Sequence, residues 1–76
     1  MTLSGRVRNH LRRHRLEAGG LTQQQLADRV GVTRQTIHSI EHGKYRPTVE
    51  LALLLARALD TTVEELFQLE EDDDAR

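Results

Sequence analysis

Arg34, Gln35, Thr36, His38 and Ser39 crowd into a short stretch that is otherwise interrupted only by Ile37. Their side chains have hydrogen-bonding patterns that suit base edges in the major groove of DNA. An Arg fork matches the O6/N7 edge of guanine, a Gln amide matches the N6/N7 edge of adenine, and a Thr methyl can meet the methyl of thymine. A face that is merely solvated more often carries Glu and Lys. Here the only acid, Glu41, stands at the far end of the stretch. Just beyond it, Lys44, Tyr45 and Arg46 add two cations and a phenol suited to phosphate oxygens.

These residues need a scaffold, and the apolar spacing supplies one. Val7, Leu11, His14 and Ala18 recur at helical intervals, predicting a first helix over 6–18 that stops at Gly19-Gly20. Thr22 with Gln25 three residues on reads as a capping box opening a second helix, with Leu26, Ala27 and Val30 inward. Gly31 follows, where a left-handed C-cap is expected, and Thr33 caps a third helix with Ile37 and Ile40 on its apolar face. After Pro47, Thr48 caps a fourth helix with Leu51, Leu54, Leu55, Ala58 and Leu59 inward. Thr62 and Glu65 form a second box that opens a short fifth helix carrying Val63, Leu66 and Phe67. No strand pattern and no internal repeat stands out. The expectation is an all-α, compact five-helix domain over 1–69, with the acidic run in 70–76 left as a disordered tail.

Composition narrows the function. The 76-residue chain has no cysteine, so disulfides and thiolate metal sites are excluded. With Tyr45 and Phe67 as its only aromatics, it has no platform for stacking single-stranded bases. The net charge of −1 conceals a segregation. Residues 1–47 hold nine Lys/Arg against three acids, a balance of +6, and residues 48–76 hold two against nine, a balance of −7. The basic part also holds all four histidines, and it favours a polyanionic partner. No run approaches the roughly 20 apolar residues of a membrane span. The Arg-rich start is read as part of the first helix, not as a transit peptide.

Two histidine pairs, His10/His14 and His38/His42, have the i, i+4 spacing that can grip a metal. Zinc takes three or four protein ligands, and neither pair has an evident third, so neither a metal nor another cofactor is expected. No nucleophile–base–acid set, glycine-rich phosphate loop or paired carboxylate pocket emerges, and a bundle this small has little room for a substrate cavity. The chain does not read as an enzyme, and no small-molecule ligand is evident.

Helices joined around Gly31, the second opening on polar groups, have the form of a helix-turn-helix. The stretch resembles the phage-repressor, Cro/cI-like (XRE-like) family. Its pattern L-T-Q-x-x-L-A, G-V-(S/T)-x-x-T-I, I-E-x-G appears as Leu21-Thr22-Gln23-Gln24-Gln25-Leu26-Ala27, Gly31-Val32-Thr33-Arg34-Gln35-Thr36-Ile37 and Ile40-Glu41-His42-Gly43. The likeness continues through Pro47-Thr48, Ala52 and Leu55-Ala56 to Val63–Phe67, covering roughly residues 6 to 68. It implies a lambda-repressor-like DNA-binding fold.

It also implies roles. Arg34, Gln35, Thr36, His38 and Ser39 would meet bases or the groove. Gln23, Thr33, Lys44, Tyr45 and Arg46 would meet the DNA backbone, with Gln23 also bracing the start of the third helix. Arg15 and Glu41 would form an internal ion pair, with Arg12 the alternative because Gly19-Gly20 is one residue longer than the family's usual single glycine. Two further departures are His14 at an often apolar position and Arg34 where small or amide residues are common. The implied partner is double-stranded DNA, bound at a palindromic operator by a homodimer, with Val63, Leu66, Phe67 and Leu69 as the expected dimer face. The implied setting is the cytoplasm, associated with the nucleoid. The alternative is an antitoxin-type interaction module that also binds its own promoter.

Overall fold

Residues 7–70 are described in the computed structural model, and within them the chain runs β1 (Val7–Asn9), α1 (Leu11–Glu17), α2 (Gln23–Val30), α3 (Arg34–Glu41), α4 (Val49–Ala58), α5 (Val63–Leu66) and β2 (Phe67–Leu69). Threonine opens four of the five helices. Thr22, Thr33, Thr48 and Thr62 sit in extended backbone, and each side chain accepts the N–H three residues on, satisfying a donor that the first helical turn leaves unpaired. At Thr22 the box is complete, because Gln25 returns a bond to the Thr22 N–H. At Thr62 only the forward half is made, to the Glu65 N–H.

The apolar faces converge on one core. Leu11, Leu26, Ile37, Ile40, Leu55 and Leu66 are fully enclosed, with Leu21, Ala27, Val30, Leu51, Ala56 and Leu59 packed among them. Each large member removed from water contributes about 1.5–3 kcal/mol. Leu54 departs from the expected inward set: it is 37% exposed, because α4 turns Leu51, Leu55 and Leu59 toward the other helices and leaves Leu54 on its flank.

The N-terminal expectation is also corrected. The first helix starts at Leu11 and not at residue 6, and Val7 belongs to a strand. β1 and β2 pair antiparallel, with Val7 opposite Leu69, Arg8 opposite Gln68 and Asn9 opposite Phe67. The junction is tied further by His10 N–H donating to the Leu66 carbonyl at 2.8 Å. Three residues per strand are too few for an alternating pattern to register, and the partners lie about sixty positions apart, so nothing local announces the pairing. Arg6 and residues 71–76, including most of the expected disordered tail, lie outside the described residues. Glu70 is half-buried at the end of the ribbon.

Candidate DNA-binding surface

The α2–α3 unit is set by its turn. Gly31 closes α2 in the left-handed region with φ of 79°, and its N–H and that of Val32 both return to the Ala27 carbonyl. A Cβ there would meet no neighbouring atom, so the demand for glycine is conformational and not steric. Thr33 then caps α3 through the Thr36 N–H, and its hydroxyl lies 3.0 Å from that of Thr36. The turn occupies both hydroxyls, and α3, held to the core by Ile37 and Ile40, leaves Arg34 and Gln35 exposed at its first turn.

Beneath α3 runs a polar chain that starts in the core. Arg15, 6% exposed, donates Nε to Glu41 Oε2 at 2.6 Å, Nη2 to Glu41 Oε1 at 3.1 Å, and Nη1 to the Leu21 carbonyl at 2.6 Å. Desolvating two charges is costly, but the two-pronged geometry and the carbonyl satisfy the fork. The extra residue at Gly19-Gly20 is absorbed in the link: both glycines adopt positive φ, 85° and 72°, and Arg15 keeps its place opposite Glu41. Gln23 Nε2 also donates to Glu41 Oε1, at 3.0 Å. A carboxylate only accepts, so the Gln23 amide is turned with its oxygen outward, where Arg34 Nη1 donates to it at 3.5 Å.

Farther along α3, Gln35 Nε2 donates to Ser39 Oγ at 3.3 Å. His38 and His42 do not splay apart; their rings stack with centroids 4.1 Å apart and 27° between planes. His42 Nδ1–H donates to the His38 carbonyl at 2.9 Å. Among the described residues, no group of three or more His, Cys, Asp or Glu could hold a metal. After α3 the chain turns at Gly43, and Lys44 N–H donates back to the Ser39 carbonyl at 2.9 Å. Lys44, Tyr45 and Arg46 are exposed in this loop. Tyr45 closes a small hollow of about 250 Å³ with Gln35, Thr36 and Ser39.

One residue of this architecture escaped the sequence reading. Asn9 stands one residue ahead of the α1 N-cap His10; it accepts the Leu11 N–H on its Oδ1 at 3.0 Å, and donates Nδ2 to the carbonyl of Ile40 in the last turn of α3 at 2.5 Å. Asn side chains readily bond a backbone N–H two residues on, so an Asn two residues before Leu11 was the available clue to where α1 begins.

A helix-turn-helix family model matches residues 11–66, from the start of α1 to the end of α5. The chain belongs to the Cro/cI-like helix-turn-helix family. An HTH-type transcriptional regulator of Methanothermobacter thermautotrophicus is 52% identical over 67 residues, covering 87% of this chain and 96% of the relative. Among solved structures, the restriction-modification controller protein C.AhdI of Aeromonas hydrophila superposes with a TM-score of 0.69 at 38% identity, covering 76% of this chain and 86% of that one. The clp gene regulator ClgR of Corynebacterium glutamicum gives 0.68 at 27% identity over 72% of this chain, which spans only 57% of ClgR. This chain is accordingly a DNA-binding transcriptional regulator, from a family that does not catalyse reactions. No helix among the described residues is long and apolar enough to cross a membrane.

The expected dimer face is corrected in one member. Leu66, the last residue of α5, is fully enclosed in the chain's own core with Leu51, Leu55 and Leu59 of α4 and its end, so it has no surface to offer a second copy. Val63 and Phe67 are half-buried, and Leu69 is 73% exposed.

Proposed function

We propose that this regulator is a repressor that binds a palindromic operator as a homodimer, each copy placing α3 in the major groove. The observation that carries the reading is the first turn of α3. Arg34 and Gln35 are exposed there on a helix whose opposite face is locked into the core, and Gln23 braces Arg34. In this reading Arg34, Gln35, Thr36, His38 and Ser39 face the groove. Gln23, Thr33, Lys44, Tyr45 and Arg46 face the flanking phosphates, and Arg15 with Glu41 holds the scaffold. The segregated charge supports the assignment, since the basic part of the chain contains α2 and α3. A single domain of this size covers too little DNA for tight specific binding, which favours two half-sites about one helical turn apart. Val63, Phe67 and Leu69 are the original candidates that remain for the contact between copies, and the cytoplasm, on the nucleoid, is the setting.

Selection of bound duplexes from a random pool at fixed salt, with the mass of the resulting complex, tests the reading. Enrichment of a two-fold symmetric sequence bound by two chains is expected. A pool that stays random, or one chain per selected duplex, contradicts it.

A further inference from the structure

The hollow beside α3 is held by backbone as well as side chains. Gly43, with φ of 73°, turns the chain back, and Lys44 N–H donates to the Ser39 carbonyl at 2.9 Å. The next residue, Tyr45, thereby lies against Gln35, Thr36 and Ser39, with 44% of its surface still exposed. The polar groups of the hollow are engaged with one another or with the turn. Thr36 Oγ1 lies 3.0 Å from Thr33 Oγ1, which leaves the Thr36 methyl as the free branch of that side chain. Gln35 Nε2 donates to Ser39 Oγ at 3.3 Å. Carbon therefore makes up most of the lining, and none of the four residues that form it is charged. A phosphate would find no cation there.

Among base edges in the major groove, the one methyl group is that on C5 of thymine. We infer that this hollow receives a pyrimidine C5 methyl group, with Thr36 and the Tyr45 ring as its walls. The inference rests on the reading above, in which α3 lies in the major groove. It adds a base-reading role for a loop residue whose hydroxyl that reading gives to phosphate. The volume suits the occupant: about 250 Å³ is several times the roughly 30 Å³ share of one water, so a methyl enters together with the ring edge that bears it. A wall of carbon recognises the methyl and not the exocyclic group beside it. Cytosine methylated at C5 therefore serves at this position as thymine does, and the protein distinguishes methylated from unmethylated cytosine there. Burying one methyl raises affinity by a factor of about four.

The test uses the full chain and the duplex that the wild type selects from a random pool. Each thymine is replaced in turn by deoxyuridine, which lacks only the methyl, and affinities are compared at fixed salt. Wild type should lose about fourfold at one thymine in each half-site. With cytosine at that position, 5-methylcytosine should bind about fourfold more tightly than cytosine itself. Tyr45→Ala removes one wall, and Thr36→Ser removes the methyl while keeping the hydroxyl that meets Thr33. Both should bring the thymine-to-deoxyuridine ratio close to one, whereas Tyr45→Phe, which keeps the ring, should hold it. Each ratio is taken within one protein, so changes in overall affinity cancel. If no thymine responds in wild type, the hollow is overturned while the selected operator stands. A ratio unchanged in Tyr45→Ala, or in Thr36→Ser should Tyr45→Ala not fold, overturns it equally. A pool that stays random overturns the operator reading and this inference together.

Discussion

Gln23 donates to Glu41 across 3.0 Å, joining the first residue of α2 to the last residue of α3. Its amide oxygen meanwhile faces Arg34, the first residue of α3, so one side chain touches both ends of that helix. Glu41 is itself gripped by Arg15, and Arg34 is thereby referred back to the core in three steps.

Removing the middle of that chain should be expensive. Glu41→Ala leaves the Arg15 guanidinium enclosed without its carboxylate, and loss of one partner of a buried pair costs about 3–5 kcal/mol. Denaturant unfolding of the two proteins measures the difference, and a loss under about 1 kcal/mol would mean that water reaches the site and screens the pair.

Gln23→Glu is nearly isosteric and separates charge from shape. It places a second carboxylate against Glu41 and removes the donor, so unfolding free energy should fall by about 1–3 kcal/mol. DNA affinity should fall further through repulsion from phosphate. Gln23→Ala should destabilise less than Gln23→Glu, and the reverse order would show that a second carboxylate beside Glu41 is not repelled.

At the turn, Gly31→Ala should cost about 1–2 kcal/mol from backbone strain alone, since the added methyl meets nothing. Thermal unfolding reads this directly. A neutral result would require the turn to relax out of the left-handed region.

Leu66 and Leu54 offer a paired check on burial. Leu66→Ala empties a fully enclosed site and should cost about 2–5 kcal/mol, whereas Leu54→Ala, at 37% exposure on the flank of α4, should cost far less. Similar losses in urea unfolding would contradict the packing described for α4 and α5.

The helices were legible because their signals are local. Four threonine caps, the apolar spacing of Leu26, Ala27 and Val30, and glycine at the α2–α3 turn each act within one or two turns of chain. The ribbon was not legible. Val7 fits a helical period with Leu11 as well as it fits a strand, and what decides between them is pairing with Leu69 at the other end of the domain. The same reach explains why Asn9 was overlooked, because its link to Ile40 spans 31 positions. Leu54 was misjudged for a different reason. In a helix as apolar as α4, composition does not say which leucine faces out, and packing against α2 and α5 decides it. Within the candidate surface, the side-chain types were readable from the sequence, but the outward turn of the Gln23 amide and the His38–His42 stack depend on three-dimensional neighbours.

The central claim, that α3 reads sequence while the following loop holds backbone, is tested most directly by comparing Arg34→Ala with Lys44→Ala on selected and random duplexes across a salt series. Arg34→Ala should lose about 1–3 kcal/mol on the selected sequence and much less on random DNA. Lys44→Ala should weaken both alike and lower the slope of log affinity against log salt by about one. Equal losses on selected and random DNA for both variants would contradict the division of roles.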